Sequence, residues 1–121
     1  MSWQEYIDTN LVGTGHVKQA VIAGTDGRSW ATSSGFAPSI EELQALIAGF
    51  ENPSSVVGKK LLISGKGYTV TKADGTTITG AESANGIVAC KSGTAIVLGV
   101  YAEGISPGSC RVTVESVAEY L

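Results

Sequence analysis

The stretch KLLISGKGYTVTKADGTTITGAESANGIVACKSGTAIVLGVY, residues 60–101, decides the fold. It consists of short runs of β-branched, aromatic and small residues, separated by brief breaks rich in Gly, Asn, Asp and Ser. Breaks this short join antiparallel neighbours, because a parallel crossover needs roughly a dozen residues or more. The predicted strands are residues 60–64, 67–73, 76–81, 86–91 and 95–101.

Before this block the sequence predicts a hairpin and a helix. Two strands, residues 17–25 and 28–32, flank Asp26-Gly27, a dipeptide that favours a type I′ turn with positive φ at both positions. Residues 40–50 carry apolar side chains at helical spacing. Glu41-Glu42 lies in the first turn of that helix, where negative charge suits the helix dipole.

The beginning of the chain predicts an amphipathic helix over residues 2–12. Ser2 can cap it, and a glutamate three residues later, Glu5, completes a capping box. At about 100° per residue, one edge of the helix carries Trp3, Tyr6 and Asn10, and the other edge carries Ile7 and Leu11. The end of the chain predicts a second such helix, with Ser106 as N-cap and Pro107 at the first helical position.

Length and composition bound the fold class. The chain has 121 residues, of which 43% are hydrophobic and 16% charged, so residues 1–121 are expected to form one domain with its own core. Strands grouped in one block exclude a doubly wound parallel sheet. The predicted fold is α+β, with a central antiparallel sheet of about seven strands and the N- and C-terminal helices packed on one face.

Charge and cysteine content exclude several classes of function. A net charge of -3 gives no field that attracts nucleic acid. No apolar run approaches the ~20 residues that span a bilayer, and the N-terminus does not resemble a signal peptide. We therefore expect a cytoplasmic protein whose two cysteines, Cys90 and Cys110, are reduced thiols, although their spacing alone leaves a disulfide open.

Catalytic patterns are not found in the sequence. The single histidine, His16, lies in a Gly-rich turn without a neighbouring nucleophile pattern, and is expected to face solvent. One histidine and two distant cysteines do not supply a zinc site. The sequence Gly58-Lys59 continues with Lys60, so no complete phosphate loop is present. We expect a binding protein rather than an enzyme, without metal or cofactor.

The sequence resembles the profilin family along nearly its whole length. The N-terminal signature is SWQEYIDTNLVGTG, residues 2–15, and the likeness continues through Asp26-Gly27, WATS at residues 30–33 and Gly35-Phe36. Further matches are Tyr68, residues 72–74, Gly86-Ile87, Lys91, residues 99–101, Pro107-Gly108 and the ending VESVAEYL, residues 114–121. The likeness is greatest to the short profilins of amoebae and other protists.

The resemblance implies a site for proline-rich peptides between the terminal helices. Its matching positions are aromatic or apolar: Trp3, Tyr6, Trp30, Val117 and Tyr120. Proline rings pack on aromatic faces, and a polyproline II helix loses little entropy on binding. Spacing alone leaves open that these aromatic side chains are core residues.

The resemblance also implies a surface for monomeric actin, away from the proline site. Two lysines of the predicted strands match it, Lys72 and Lys91, which without the resemblance are ordinary solvated charges. Weaker matches lie on the last helix: Gly108, Arg111, Val112 and Ser116. Single substitutions in such a large interface are expected to weaken binding without always abolishing it.

Two departures from the family limit what is implied. Ala81-Glu82 stands where related protist profilins can carry basic residues, so only weak phosphoinositide contact is expected. The chain ends at Leu121, earlier than many relatives, so the proline groove is expected to be shorter and its affinity lower.

The function that the resemblance implies is regulation of actin polymerisation. The protein is expected to bind actin monomers, to hold proline-rich partners such as formins, and to belong to the cytoskeleton. Faster exchange of the actin nucleotide is a further expectation from the family. The alternatives are a trafficking scaffold of the roadblock or longin type, a small enzyme, and a phosphoinositide sensor.

Overall fold

A computed structural model describes residues 2–121 of the chain. The first helix starts as α1 (Trp3–Glu5), continues as a π-helical segment (Tyr6–Leu11) and ends as a 3₁₀ turn (Val12–Thr14). The other helices are α2 (Ile40–Glu51), a 3₁₀ turn (Pro53–Ser55) and α3 (Pro107–Glu119). The strands are β1 (Gln19–Gly24), β2 (Ser29–Thr32), β3 (Lys60–Ile63), β4 (Lys66–Ala73), β5 (Thr77–Glu82), β6 (Asn85–Lys91) and β7 (Ala95–Tyr101).

The seven strands form one antiparallel sheet in the order β2-β1-β7-β6-β5-β4-β3. The predicted fold class is confirmed, and the predicted strands differ from the observed ones by at most two residues at an end. Because β1 pairs with β7, the first strands close against the last one, and the two ends of the chain lie beside the same part of the sheet.

Each face of the sheet buries its own apolar core. On one face α2 contributes Leu43, Leu46 and Phe50, which pack on side chains such as Ile78 and Leu98. On the other face the first helix and α3 pack together on the sheet, as the sequence predicts. That second core contains Ile7, Leu11, Ile22, Val88, Val97, Cys110, Val114 and Val117.

Gly99 sets how closely α3 approaches the sheet. A Cβ built on Gly99 lies 2.7 Å from Val114 Cγ2 and 3.2 Å from Val17 Cγ1, so no larger residue fits beneath the helix. The close approach brings Cys110 and Val114, both fully buried, into contact with β7. Residues 2–121 contain no helix that is long and apolar enough to cross a membrane.

The first helix is not the regular α-helix that the sequence predicts. Ser2 accepts from the Glu5 N–H and forms the predicted capping box, but from Tyr6 onward the hydrogen bonds are those of a π-helix, and the Val12 N–H donates to the Ile7 carbonyl. A π-helical turn holds one more residue than an α-helical one. Ile7 and Leu11 nevertheless both reach the core, where each is fully buried.

The type I′ turn predicted at Asp26-Gly27 is wrong. Only Gly27 has positive φ, +90°, and its N–H donates to the Gly24 carbonyl, while the Arg28 N–H donates to Asp26 Oδ1. The pair with positive φ at both positions is Ser64-Gly65, at +52° and +82°, in the two-residue turn between β3 and β4. The Asp74-Gly75 turn is held instead by Asp74 Oδ1, which accepts from the N–H groups of Thr76 and Thr77.

Candidate functional site

Three aromatic side chains gather where the first helix meets β2. The ring centroids of Trp3 and Trp30 lie 4.8 Å apart, and those of Trp3 and Tyr6 lie 6.1 Å apart. Trp3 is 41% exposed and Trp30 is 40% exposed, while Tyr6 is half-buried. The indoles are therefore not core residues, and together with Tyr6 they form an open aromatic patch.

A β-bulge brings Trp30 onto the face of the terminal helices. In the β1–β2 ladder Ile22 pairs with Ala31 and Ala23 with Ser29, which leaves Trp30 without a directly opposite residue. Successive side chains of a regular strand face opposite sides, but a bulge changes the direction of a side chain. Ala31 packs in the core of the terminal helices, and Trp30 lies beside Trp3 on that same face.

Gly24 and Gln4 hold the patch in place. A Cβ on Gly24 comes within 3.1 Å of Trp30 Nε1 and 3.2 Å of Trp30 Cζ2, so the indole rests on the glycine backbone. Gln4 Nε2 donates to the Thr32 carbonyl at 3.0 Å, which ties the first turn of the helix to β2. The capping box of Ser2 fixes the same turn, and with it the backbone of Trp3.

The two residues from α3 have different positions. Tyr120, at the end of the helix, is 78% exposed, and with Asn10 and Ser116 it lines a cavity of about 220 Å³ between the first helix and α3. Val117 also borders this cavity but is only 3% exposed, because it packs in the core with Ile7 and Leu11. Val117 thus supports the floor between the helices and offers little contact surface.

Three of the residues matched to the actin surface lie near one another on the opposite flank of α3. Gly108 and Arg111 line a cavity of about 260 Å³, whose far wall contains Thr71 and Thr79. Lys72 pairs with Thr79 across β4 and β5, and therefore shares the face of the sheet that this cavity occupies. These cationic and small residues surround a part of the sheet that α3 leaves uncovered.

The other three residues matched to the actin surface lie away from that cavity. Lys91 ends β6 and lines a cavity of about 290 Å³ together with Glu115 and Glu119 of α3. Val112, 63% exposed, and Ser116 line the cavities on the other flank of α3. The sequence-derived set thus spreads across the whole exposed side of α3.

The ionisable groups do not form a catalytic arrangement among residues 2–121. His16 is exposed at the mouth of a cavity beside Gly108 and Val112. Burial raises the pKa of the Cys90 thiol to about 11 and that of Cys110 to about 12, and both are free cysteines. Thiols with such a high pKa are poor nucleophiles at neutral pH. The described residues contain no cluster of three or more side chains that could hold a metal ion.

Sequence reasoning missed several residues that build these surfaces. Helical spacing put Asn10 on the same edge of the first helix as Trp3, but it did not indicate that Asn10 Oδ1 is buried without a hydrogen-bond partner among the described residues. Gln4 and Tyr101 were noted only as matches to the family, without a role, and Gly24 was not singled out. An isolated glycine within a strand, such as Gly24, is a signal of close approach by another group, and here it marks the seat of Trp30.

Comparisons with known proteins agree with this geometry. The family model described as Profilin matches residues 1–121. Profilin-1A of Acanthamoeba castellanii is 43% identical over 121 residues, covering 100% of this chain and 96% of the relative. Profilin-A of Physarum polycephalum is 40% identical with the same coverage.

Solved structures give the same result. The structure of Acanthamoeba castellanii profilin IA superposes with a TM-score of 0.95 at 42% identity, covering 98% of this chain and 95% of the other. Mouse profilin IIa, solved in complex with a double repeat from the FH1 domain of mDia1, shares the fold with a TM-score of 0.74 at 20% identity, covering 99% and 96%. No comparison supports a roadblock or longin scaffold, and the chain belongs to the profilin family.

Proposed function

We propose that this protein binds monomeric actin and regulates its polymerisation, and that it binds proline-rich segments through the aromatic patch of Trp3, Tyr6 and Trp30. Binding of actin monomers is the known role of the family to which the chain belongs. The observation that carries the second activity is the exposed pair of indoles, which pack against each other at a tilt of 42° with ring centroids 4.8 Å apart.

The chemistry of the patch suits a polyproline II helix. Proline rings lack donors and pack on flat aromatic faces, while indole N–H and tyrosine hydroxyl groups can donate to the carbonyls of the peptide. Tyr120 would extend the patch along the cavity beside Asn10. A shallow groove of this kind is expected to bind in roughly the micromolar range, about −8 kcal/mol. Mouse profilin IIa, which shares the fold, was solved with such an FH1 repeat.

Two separate surfaces allow both partners to bind at once. The aromatic patch lies where the first helix meets β2, whereas Lys72, Gly108 and Arg111 lie around the cavity on the opposite flank of α3. Holding an actin monomer and a proline-rich segment together raises the effective concentration of actin near the partner without any new contact. Holding both partners in this way is the role of a cytoplasmic actin regulator, and it requires binding alone, without a catalytic step.

Actin binding is tested with monomeric actin and four forms of the protein. We expect the wild type to bind, and Lys72→Glu and Lys91→Glu to bind at least about fivefold more weakly, because each reverses a charge in the proposed surface. Lys66→Glu is the control. Its charge change is the same, but Lys66 pairs with the core residue Ile63 and so lies on the α2 face. Equal affinity of all four forms, or no binding by the wild type, would contradict the proposal.

A further inference from the structure

The ring of Tyr101 lies over the backbone of Gly86 on the neighbouring strand, a contact that the sequence alone does not indicate. Gly86 and Tyr101 are paired across β6 and β7, and a Cβ built on Gly86 comes within 2.2 Å of both Cζ and Oη of Tyr101. The ring therefore occupies the space that a side chain at position 86 would fill. The glycine permits this cross-strand packing, which fixes the direction of the ring.

This ring forms one wall of the 260 Å³ cavity between α3 and the uncovered strands. The other walls are the hydroxyl-bearing pair Thr71 and Thr79, whose Oγ1 atoms lie 3.1 Å apart, and the first turn of α3 with Pro107. The floor includes Val88, which is buried. Tyr101 itself is only half-buried, so its exposed part faces the cavity opening.

The charges at the rim indicate the type of partner. The chain as a whole carries a charge of -3, yet the one charged residue among those that line this cavity, Arg111, is basic. Arg111 lines the cavity, with its Nε 2.8 Å from Glu115, and Lys72 adjoins Thr71 on the same face. An aromatic and aliphatic depression with a basic rim suits an apolar side chain that projects from an acidic protein surface.

We propose that Tyr101, seated on Gly86, is the anchor of the actin-binding surface and receives an apolar side chain of the actin monomer in this cavity. The proposal rests on the proposed function, since the cavity is continuous with Lys72, Gly108 and Arg111 of the actin surface. Buried aromatic residues near the centre of an interface carry a large share of its binding energy. Lys72 and Arg111 at the rim set the association rate and the salt dependence.

The test compares two tyrosines that occupy different surfaces. Tyr101→Ala is expected to weaken binding of monomeric actin by about tenfold or more and to leave poly-L-proline binding unchanged, whereas Tyr101→Phe keeps actin affinity within about threefold. Tyr120→Ala is the matched control, which is expected to weaken poly-L-proline binding and to leave actin binding unchanged. Thr71→Arg changes an exposed side chain, so the fold is expected to tolerate it, and it fills the cavity from the far wall. We expect it to weaken actin binding as Tyr101→Ala does.

The outcomes separate this inference from the function on which it rests. If wild-type protein fails to bind actin, the proposed function itself is wrong. If the wild type binds but Tyr101→Ala and Thr71→Arg bind within about threefold of it, only the anchor is refuted. Self-association of the wild type in sedimentation, abolished by Thr71→Arg, would assign the cavity to a second copy of the chain and would also overturn the proposal.

Discussion

Glu42 is expected to be a pH-sensitive link between α2 and the β3–β4 turn. Its Oε1 accepts from the Ser39 N–H at 2.8 Å and from the Ser64 N–H at 2.9 Å, and its Oε2 accepts from the Gly65 N–H at 2.9 Å. One carboxylate thus completes the capping box of the helix and fixes the turn in which both residues have positive φ. We predict that Glu42→Gln destabilises the protein.

The magnitude follows from the three hydrogen bonds and the exposure of the site. A hydrogen bond to a charged group contributes about 1.5–3 kcal/mol when it is protected from solvent. Glu42 is only partly buried, so solvent screening reduces each contribution, and glutamine keeps one acceptor oxygen. We expect Glu42→Gln to lower the free energy of unfolding by about 1–2 kcal/mol at pH 7, or the Tm by about 4–8 °C.

The pH dependence has a definite sign. Partial burial alone would raise the pKa of Glu42, but the hydrogen bonds from Gly65, Ser39 and Ser64 outweigh it, and the pKa lies below the ordinary value. A depressed pKa means that the contribution is present above the unfolded-state pKa and is lost as pH falls through the folded-state pKa. The stability difference between wild type and Glu42→Gln should therefore shrink as the pH is lowered from about 6 to below 4.

The assay is urea unfolding followed by circular dichroism at several pH values, with Glu41→Gln as the control. Glu41 lies in the same helical turn, so its substitution removes the same charge near the helix N-terminus without breaking the link. Glu42→Gln should cost about 1 kcal/mol more than Glu41→Gln at pH 7. Equal costs for the two variants, or a difference that does not vary with pH, would refute this explanation of Glu42.

Three further predictions concern other parts of the fold. Burial raises the pKa of Cys90 to about 11 and that of Cys110 to about 12. At about pH 7.5, where an exposed thiol begins to ionise, a thiol reagent should therefore label both cysteines only after unfolding. Rapid labelling of the folded protein would contradict their burial. Gly27→Ala should cost about 1–3 kcal/mol in thermal unfolding, since Gly27 has φ of +90° and a Cβ there lies 2.7 Å from Gln44 Cγ, and a cost below about 0.5 kcal/mol would refute the strain. Ser2→Ala removes the capping box that holds the turn of Trp3, so it should lower both stability, by about 1 kcal/mol, and the affinity for poly-L-proline; unchanged calorimetric values for both would contradict this role.

The sequence was sufficient for the fold class because its patterns are local. Short strands with brief breaks require antiparallel pairing, and Ser2, Ser106 and Pro107 mark the starts of the terminal helices by hydrogen-bonding chemistry that needs no tertiary contact. Helical spacing placed Ile7 and Leu11 together on one edge of the first helix, and in the structure both are fully buried.

The features that could not be predicted depend on contacts between distant residues. The bulge at Trp30 changes the direction of the indole, and the π-helical segment adds a residue to a turn without any recognisable local signal. Asp26-Gly27 has the composition of a type I′ turn, but that conformation occurs at Ser64-Gly65, where Glu42 accepts from both N–H groups of the turn. A distant carboxylate there stabilises a conformation that local propensity does not favour.

The candidate site shows the same division. Trp3, Tyr6 and Trp30 were predicted as a group, and the structure places them together, half-exposed. Their role in proline binding stays a prediction, as does weak phosphoinositide contact. The packing of Tyr101 on Gly86 was not predicted, because only the pairing of β6 with β7 brings the two residues together.

Titration with poly-L-proline, followed by tryptophan fluorescence, tests the aromatic patch most directly, because the only two tryptophans of the chain are Trp3 and Trp30. For the wild type and for Tyr101→Phe we predict a saturable change in emission with a dissociation constant in the micromolar range. For Trp3→Ala we predict that poly-L-proline binding is lost, and calorimetry checks this independently of fluorescence. A wild-type emission that stays constant up to millimolar proline, or a Trp3→Ala variant that binds as tightly as the wild type, would contradict a proline-binding site between the ends of the chain.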